Sequence, residues 1–318
     1  MTETMIPPGP DELTQVEAEI PEWLSAAFEV PRREGVVRSN DCDIRYFAWG
    51  DPSKPPLIFV HGFLAHRRCF AFIAPLLAQD YYCIAYDMSG MGDSGHRESY
   101  PDDVRCQELF DVAEEEGAFE HQVKPTIIAH SYGGTVGLLA VERDADAFHG
   151  LIICDLLAMR PDALKAFFEN DRGPGRGRDP NRPNKVYPTY EDARQRFVLA
   201  PPQSVAVPAL FDYMAYHSLK EVDGGWAWKF HPSVFNRHEE SKARPHLSAG
   251  RIVEAKGRKA FLFGEKSRLF TPDSAAYLRE LGETKMPIIG VPEAHHHLFL
   301  DQPIAFVVAL RTILAMWD

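Results

Sequence analysis

Ile127-Ile128-Ala129-His130-Ser131-Tyr132-Gly133-Gly134 is the stretch whose reading decides the fold. An apolar run delivers a serine with small residues two places to either side, and a second apolar run, Thr135 to Val141, follows at once. The pattern predicts a strand, a sharp turn and a helix. In that setting the serine stands clear of the sheet at the apex of the turn. The helix N-terminus then points free N–H groups at whatever the serine attacks. The stretch departs from Gly-x-Ser-x-Gly only at Ala129, and alanine still lets strand and helix approach.

Working outward, Leu57-Ile58-Phe59-Val60, Tyr82-Cys83-Ile84-Ala85-Tyr86 and Leu151-Ile152-Ile153-Cys154 are short continuous apolar runs. Such runs suit strands buried on both faces of a parallel sheet. Each ends in polar or glycine-rich residues: His61-Gly62-Phe63-Leu64, Asp87 to Gly95, and Asp155. Helices are expected near residues 70–78 and 101–118, and a strand pair over Gly35–Arg38 and Asp43–Trp49. Lys259–Phe263 and Met286–Val291 read as strands, Pro272–Leu281 and Pro303–Trp317 as helices. The alternation predicts an α/β fold with a mainly parallel, doubly wound sheet whose site lies at the strand C-termini.

Between about 156 and 248 the alternation lapses. Gly173 to Pro180 is a basic, flexible loop, and aromatic pieces follow that suit helices. The expected organisation is an N-terminal extension over 1–34, a core from 35–155 and 249–318, and an inserted helical cap over 156–248. In the extension, Pro7, Pro8 and Pro10 suggest a disordered start. Trp23, Leu24 and Phe28 are expected to clamp onto the domain surface, with a homodimer arm as the alternative.

The chain of 318 residues can bury a large core. Its formal charge of −12, without a Lys/Arg tract, argues against nucleic acid or an anionic membrane surface as the main partner. Five scattered cysteines without a CxxC pair, no apolar leader and no membrane-length apolar segment suit a reducing cytoplasm.

A serine hydroxyl needs a base, an orienting carboxylate and donors aimed at the developing oxyanion. Glu293-Ala294-His295-His296-His297, before the last helix, offers the base. Three successive histidines cannot all face one ion on a regular element, so no metal is expected. Ser131, a later histidine, and His61-Gly62-Phe63 at a strand end together resemble the α/β-hydrolase superfamily, over residues 35–318 apart from the details of the cap. The resemblance implies a catalytic histidine about seven residues before the proline that opens the final helix. Pro303 then selects His296, with His297 the runner-up and His295 where a glycine is usual. It also implies oxyanion donors at the amides of Tyr132 and Phe63. The loop Asp87 to Gly95 looks structural in such proteins, and His130 a buried, hydrogen-bonded side chain.

The resemblance leaves the acid open. The usual place lies three residues beyond the glycine in Gly264-Glu265-Lys266-Ser267, and Ser267 fills it. Asp155 is the preferred acid, since several branches of the superfamily keep theirs at that earlier strand end. Glu265 is the alternative. Tyr213, Tyr216, His217, Trp226 and Trp228 of the cap are expected to line an aromatic pocket. The implied activity is cofactor-free hydrolysis of an ester, lactone or thioester of a small hydrophobic substrate. Carbon–carbon bond hydrolysis on the same triad and a non-enzymatic ligand binder are the alternatives.

Overall fold

The computed structural model describes all residues except 1–4, 7–12, 14–15, 171–178, 237–247 and 318. The prolines at 7, 8 and 10, and most of the Gly173–Pro180 loop, lie outside the described residues.

Eleven strands are described: β1 (Met5–Ile6), β2 (Arg32–Ser39), β3 (Cys42–Trp49), β4 (Pro56–Val60), β5 (Tyr82–Tyr86), β6 (Thr126–His130), β7 (Gly150–Cys154), β8 (Leu219–Val222), β9 (Gly225–Trp228), β10 (Lys259–Gly264) and β11 (Ile288–Val291). Nine form one sheet in the order β1-β2-β3-β5-β4-β6-β7-β10-β11. From β5 to β11 every pairing is parallel, and β1, β2 and β3 join antiparallel at one edge. The apolar runs are buried because both faces are covered. Ile58, Val60, Ile127 and Ala129 feed one core with the helices Asp102–Glu115, Tyr132–Arg143 and Ser248–Glu254. Leu57, Phe59 and Ile128 point the other way, toward the helices Glu22–Glu29 and Pro303–Trp317. Successive strand residues alternate faces, so a five-residue strand serves both cores.

Leu24 and Phe28 of the extension are buried in the second core. Phe28 meets Tyr213 with ring centroids 4.9 Å apart.

Two local expectations are corrected. Residues 70–78 do not form an α-helix: Arg67–Phe70 and Ala74–Leu76 are single 3-10 turns, with Pro75 inside the second. Pro75 lacks the N–H that a continuing helix needs. The insert between β7 and β10 is not purely helical either. It holds helices Pro161–Asn170, Tyr190–Arg194 and Pro208–His217, but Trp226 and Trp228 sit on β9 of a β8–β9 hairpin. Asp223-Gly224 makes its two-residue turn, with Gly224 at φ 82°. Asp-Gly is a strong hairpin signal, and it was readable in the sequence.

Candidate active site

Ser131 sits where β6 gives way to the helix Tyr132–Arg143, at φ 53° and ψ −121°. This is a strained conformation for a residue with a Cβ, costing about 1–3 kcal/mol, and surrounding contacts must hold it. One is the Ser131 amide donating to the Cys154 carbonyl at 2.8 Å. Another is close passage of the turn under the β4 end. A Cβ on Gly133 would lie 2.4 Å from the Val60 carbonyl oxygen and 2.7 Å from that of His61, so only glycine fits. Gly62 is less tight but also close: a Cβ there would lie 3.1 Å from His130 Nδ1 and 3.3 Å from Ser131 Cβ. The two loops that carry Ser131 and Phe63 are thereby pressed together.

The Ser131 hydroxyl lies 3.0 Å from Nε2 of His296. Nδ1 of the same ring lies 2.9 Å from Oδ1 of Asp155. His296 is 3% exposed and Asp155 fully buried. The three side chains form one unbroken chain of hydrogen bonds, with Nδ1–H donating to the carboxylate and Nε2 open to the serine proton.

Asp155 stands immediately beyond β7 at φ 52°. Its Oδ2 accepts from the Gly264 amide at 2.9 Å, and its Oδ1 also accepts from the Ser267 hydroxyl at 2.6 Å. Ser267 therefore supplies a hydrogen bond to the carboxylate from the place where the family usually keeps the carboxylate itself. Sequence reasoning treated Ser267 as a deficit. Glu265 is exposed and is not brought to His296; its side chain lies beside Gly290.

The three histidines diverge. His295 approaches Asp301 through Nδ1 at 3.0 Å, and its amide donates to the same carboxylate at 2.6 Å. His297 turns to Gln203 of the insert, Nδ1 lying 2.7 Å from Oε1. Gln203 was not anticipated, and nothing in the local sequence points to it. Burial, with His296 and His130 nearby, holds His297 well below the usual histidine range. His130 is buried, and its Nε2–H donates to the His296 carbonyl at 2.9 Å, fixing the backbone that carries the ring.

His61 performs a comparable service for the Phe63 loop. The Met88 amide donates to His61 Nε2 at 3.0 Å, so the ring proton resides on Nδ1 and is given to the Gly62 carbonyl at 2.7 Å. The Gly62 carbonyl and the Phe63 N–H belong to one planar peptide, so holding the first orients the second. Burial lowers His61 to about 4, keeping it neutral. The Tyr132 amide, at the first turn of its helix, has no partner within that helix. The Phe63 and Tyr132 rings meet edge to face at 5.9 Å.

Asp87, in the glycine-rich loop after β5, is fully buried. It accepts from the Arg67 guanidinium and from the amides of Arg67 and Asp93 at 2.5 and 2.7 Å. It shapes the loop and does not reach Ser131.

The cap aromatics need correction. Tyr213 is fully buried between Phe28 and Phe72 and joins cap to core. His217 packs on Tyr213 and Tyr216, while Tyr216 and Trp226 pack with Tyr190. Tyr216, His217 and Trp226 thus serve the cap's own packing, and Tyr213 its seat on the core. Trp228 alone of the five borders the large cavity between cap and core.

Among the described residues no cluster of three or more His, Cys, Asp or Glu side chains could hold a metal ion. The five cysteines are free and buried. No described helix is long and apolar enough to cross a membrane.

Comparison with known proteins agrees with this architecture. The model of the alpha/beta hydrolase family matches residues 57–310, and the chain belongs to that family. It is 27% identical over 194 residues to a serine hydrolase-like protein of Danio rerio, a match spanning 58% of each chain. The matched part thus spans little more than half the length of that relative, and 44% of a human serine hydrolase-like protein. An sn-1-specific diacylglycerol lipase of Mus musculus, ABHD11, is 24% identical over 84% of this chain and 83% of its own. Among solved structures, an esterase from Mycobacterium tuberculosis superposes with a TM-score of 0.69 at 17% identity, covering 96% of this chain and 99% of its own. The thioesterase domain from the curacin biosynthetic pathway gives 0.67 at 18% identity, over 89% and 99%.

Proposed function

We propose that the protein is a serine hydrolase that cleaves a carboxylic ester, lactone or thioester through an acyl-enzyme. The observation that carries this reading is the chain Ser131–His296–Asp155, with both links at ordinary hydrogen-bond length in a buried setting. His296 Nε2 takes the hydroxyl proton as Ser131 Oγ attacks the carbonyl carbon. Asp155 holds the ring in the required tautomer and stabilises the imidazolium. The amides of Tyr132 and Phe63 bind the oxygen that becomes negative. Collapse of the tetrahedral intermediate breaks the bond to the leaving alcohol or thiol, which receives the proton from His296. Water then enters, gives its proton to His296, and releases the acid from Ser131. The activities named for the mouse lipase and for the esterase and thioesterase neighbours suit this reaction class.

The test is hydrolysis of p-nitrophenyl acetate and butyrate by the purified protein and by Ser131→Ala. Turnover should fall by on the order of 10⁵-fold in the variant. Undiminished turnover in Ser131→Ala would overturn the reading.

A further inference from the structure

Cap and core flank an open cavity of about 1410 Å³ that does not include Ser131 among its walls. In a chain of formal charge −12, six Lys and Arg side chains among the described residues line this cavity, against three carboxylates, Glu34, Asp93 and Glu98. Several of the cations are already neutralised. Arg67 pairs with Asp87 and Asp93, Lys229 with Asp93 at 2.6 Å, and Arg97 with Glu108 at 3.4 Å. Arg45 of β3 and Lys220 of β8 are different. Both are exposed, both face the cavity, and neither has an ion-pair partner among the described residues. They reach it from opposite sides, one from the core and one from the cap. The stacked rings of His96 and His231, 4.1 Å apart, also join core to cap at its wall. Burial, then His96, then Lys220 lower the pKa of His231.

A row of half-buried aromatic rings in mutual contact runs from beside the reacting serine to the cavity wall. Tyr132, beside Ser131, meets Phe63 at 5.9 Å; Phe63 meets Phe235 at 5.7 Å; Phe235 meets Phe230 at 5.8 Å. Phe230 and Trp228, stacked at 6.2 Å, are cavity walls. Three such steps span on the order of 15 Å. The row of packed rings leads from the reactive centre to the cavity wall that holds Arg45 and Lys220, with Glu98 in the same wall.

We propose that this cavity is an anion subsite, and that the substrate carries a carboxylate or phosphate at the far end of an apolar chain whose ester or thioester lies at Ser131. The proposal rests on the serine-hydrolase reading for the position of the scissile bond, but the subsite can be tested without turnover. The anion can be carried on the acyl side or on the leaving group, and substrates distinguish the two. Mono-p-nitrophenyl esters of adipate, suberate and dodecanedioate place a carboxylate on the acyl chain. They are compared with p-nitrophenyl esters of uncharged acids of equal length. Acyl-coenzyme A thioesters, compared with the same acyl groups on N-acetylcysteamine, place phosphate on the leaving group.

In one of the two series the anionic member should have the higher kcat/KM. In the acyl series the preference should grow with chain length. In Arg45→Gln/Lys220→Gln the ratio of anionic to neutral kcat/KM should fall about tenfold at low salt, the range expected for losing two exposed charges. Raising ionic strength should erode the wild-type preference in the same direction. Equal kcat/KM for anionic and neutral substrates in both series would overturn the proposal, as would an unchanged ratio in the double variant. If no ester is hydrolysed, the catalytic reading fails, and the subsite is judged on Ser131→Ala by Trp fluorescence. Titration with suberate and with coenzyme A should then show saturable quenching weakened by the Arg45→Gln/Lys220→Gln changes. No quenching, or quenching indifferent to those changes, would overturn the subsite.

Discussion

β7 and β10 are adjacent parallel strands, Cys154 opposite Leu262, yet their C-terminal ends do different things. The β7 end carries a fully buried carboxylate aimed at His296. The β10 end carries Gly264 and Ser267, which donate an amide and a hydroxyl to that same carboxylate. The histidine can therefore be served from either strand, because both ends converge on one point. Once the carboxylate comes from β7, a second one on β10 would place two negative charges within hydrogen-bond distance of each other. A small neutral donor avoids that repulsion and satisfies the buried oxygens.

The comparison can be broken most sharply at Asp155. Asp155→Asn should lower kcat by on the order of 10⁴-fold with little change in fold, because the amide no longer enforces the tautomer that leaves Nε2 free for Ser131. Retained activity, read from initial rates on a p-nitrophenyl ester, would remove the β7 end from the account.

The second test concerns the histidines that surround this chain. His61 and His130 are buried and His297 half-buried, and burial is the leading cause that lowers each. A histidine lowered in the folded state binds its proton more readily when unfolded, so stability is lost as pH falls. For His61, at about 4 against an ordinary 6.5, the window runs from pH 6.5 down to 4, and the loss is ~3 kcal/mol for this group alone. Urea midpoints measured across that window should fall steadily with acid. A flat profile would contradict the assignment of neutral, burial-silenced rings.

Smaller effects should come from β10. Ser267→Ala removes one of the donors to Asp155 and should cost about tenfold in kcat, the usual worth of a hydrogen bond to a charged group. Its KM should move little, since Ser267 does not reach toward Ser131. Glu265→Gln should change kcat less than about twofold, because its side chain is exposed and apart from the ring. Steady-state kinetics on the pair of variants sharpen the contrast: a larger effect from Glu265 than from Ser267 would invert it.

Much of this arrangement was legible in the chain. Short apolar runs ending in polar residues announced the sheet and placed the site at its strand ends. Ser131 was visible because a strained turn needs small neighbours at fixed offsets, and His296 because the resemblance to the α/β-hydrolase superfamily implies a histidine about seven residues before Pro303. Asp155 was harder. A strand-end aspartate is common for structural reasons, and only the space around Ser267 separates the two roles. What the cap does was least legible. Aromatic residues look alike in sequence whether they pack the cap's interior, as Tyr216 does, or border a cavity, as Trp228 does. The Asp223-Gly224 hairpin carried its own turn signal and was overshadowed by the aromatics around it. Gln203 meets His297 from far along the chain, and no local pattern encodes such a contact.

The central claim is that Ser131 is the nucleophile. Labelling with a fluorophosphonate probe, followed by peptide mass spectrometry, tests it directly. One probe per chain on the peptide containing Ser131, absent from Ser131→Ala and greatly slowed in Asp155→Asn, is the predicted result. Active protein that takes up no probe, or that is modified at another residue in its place, would contradict it.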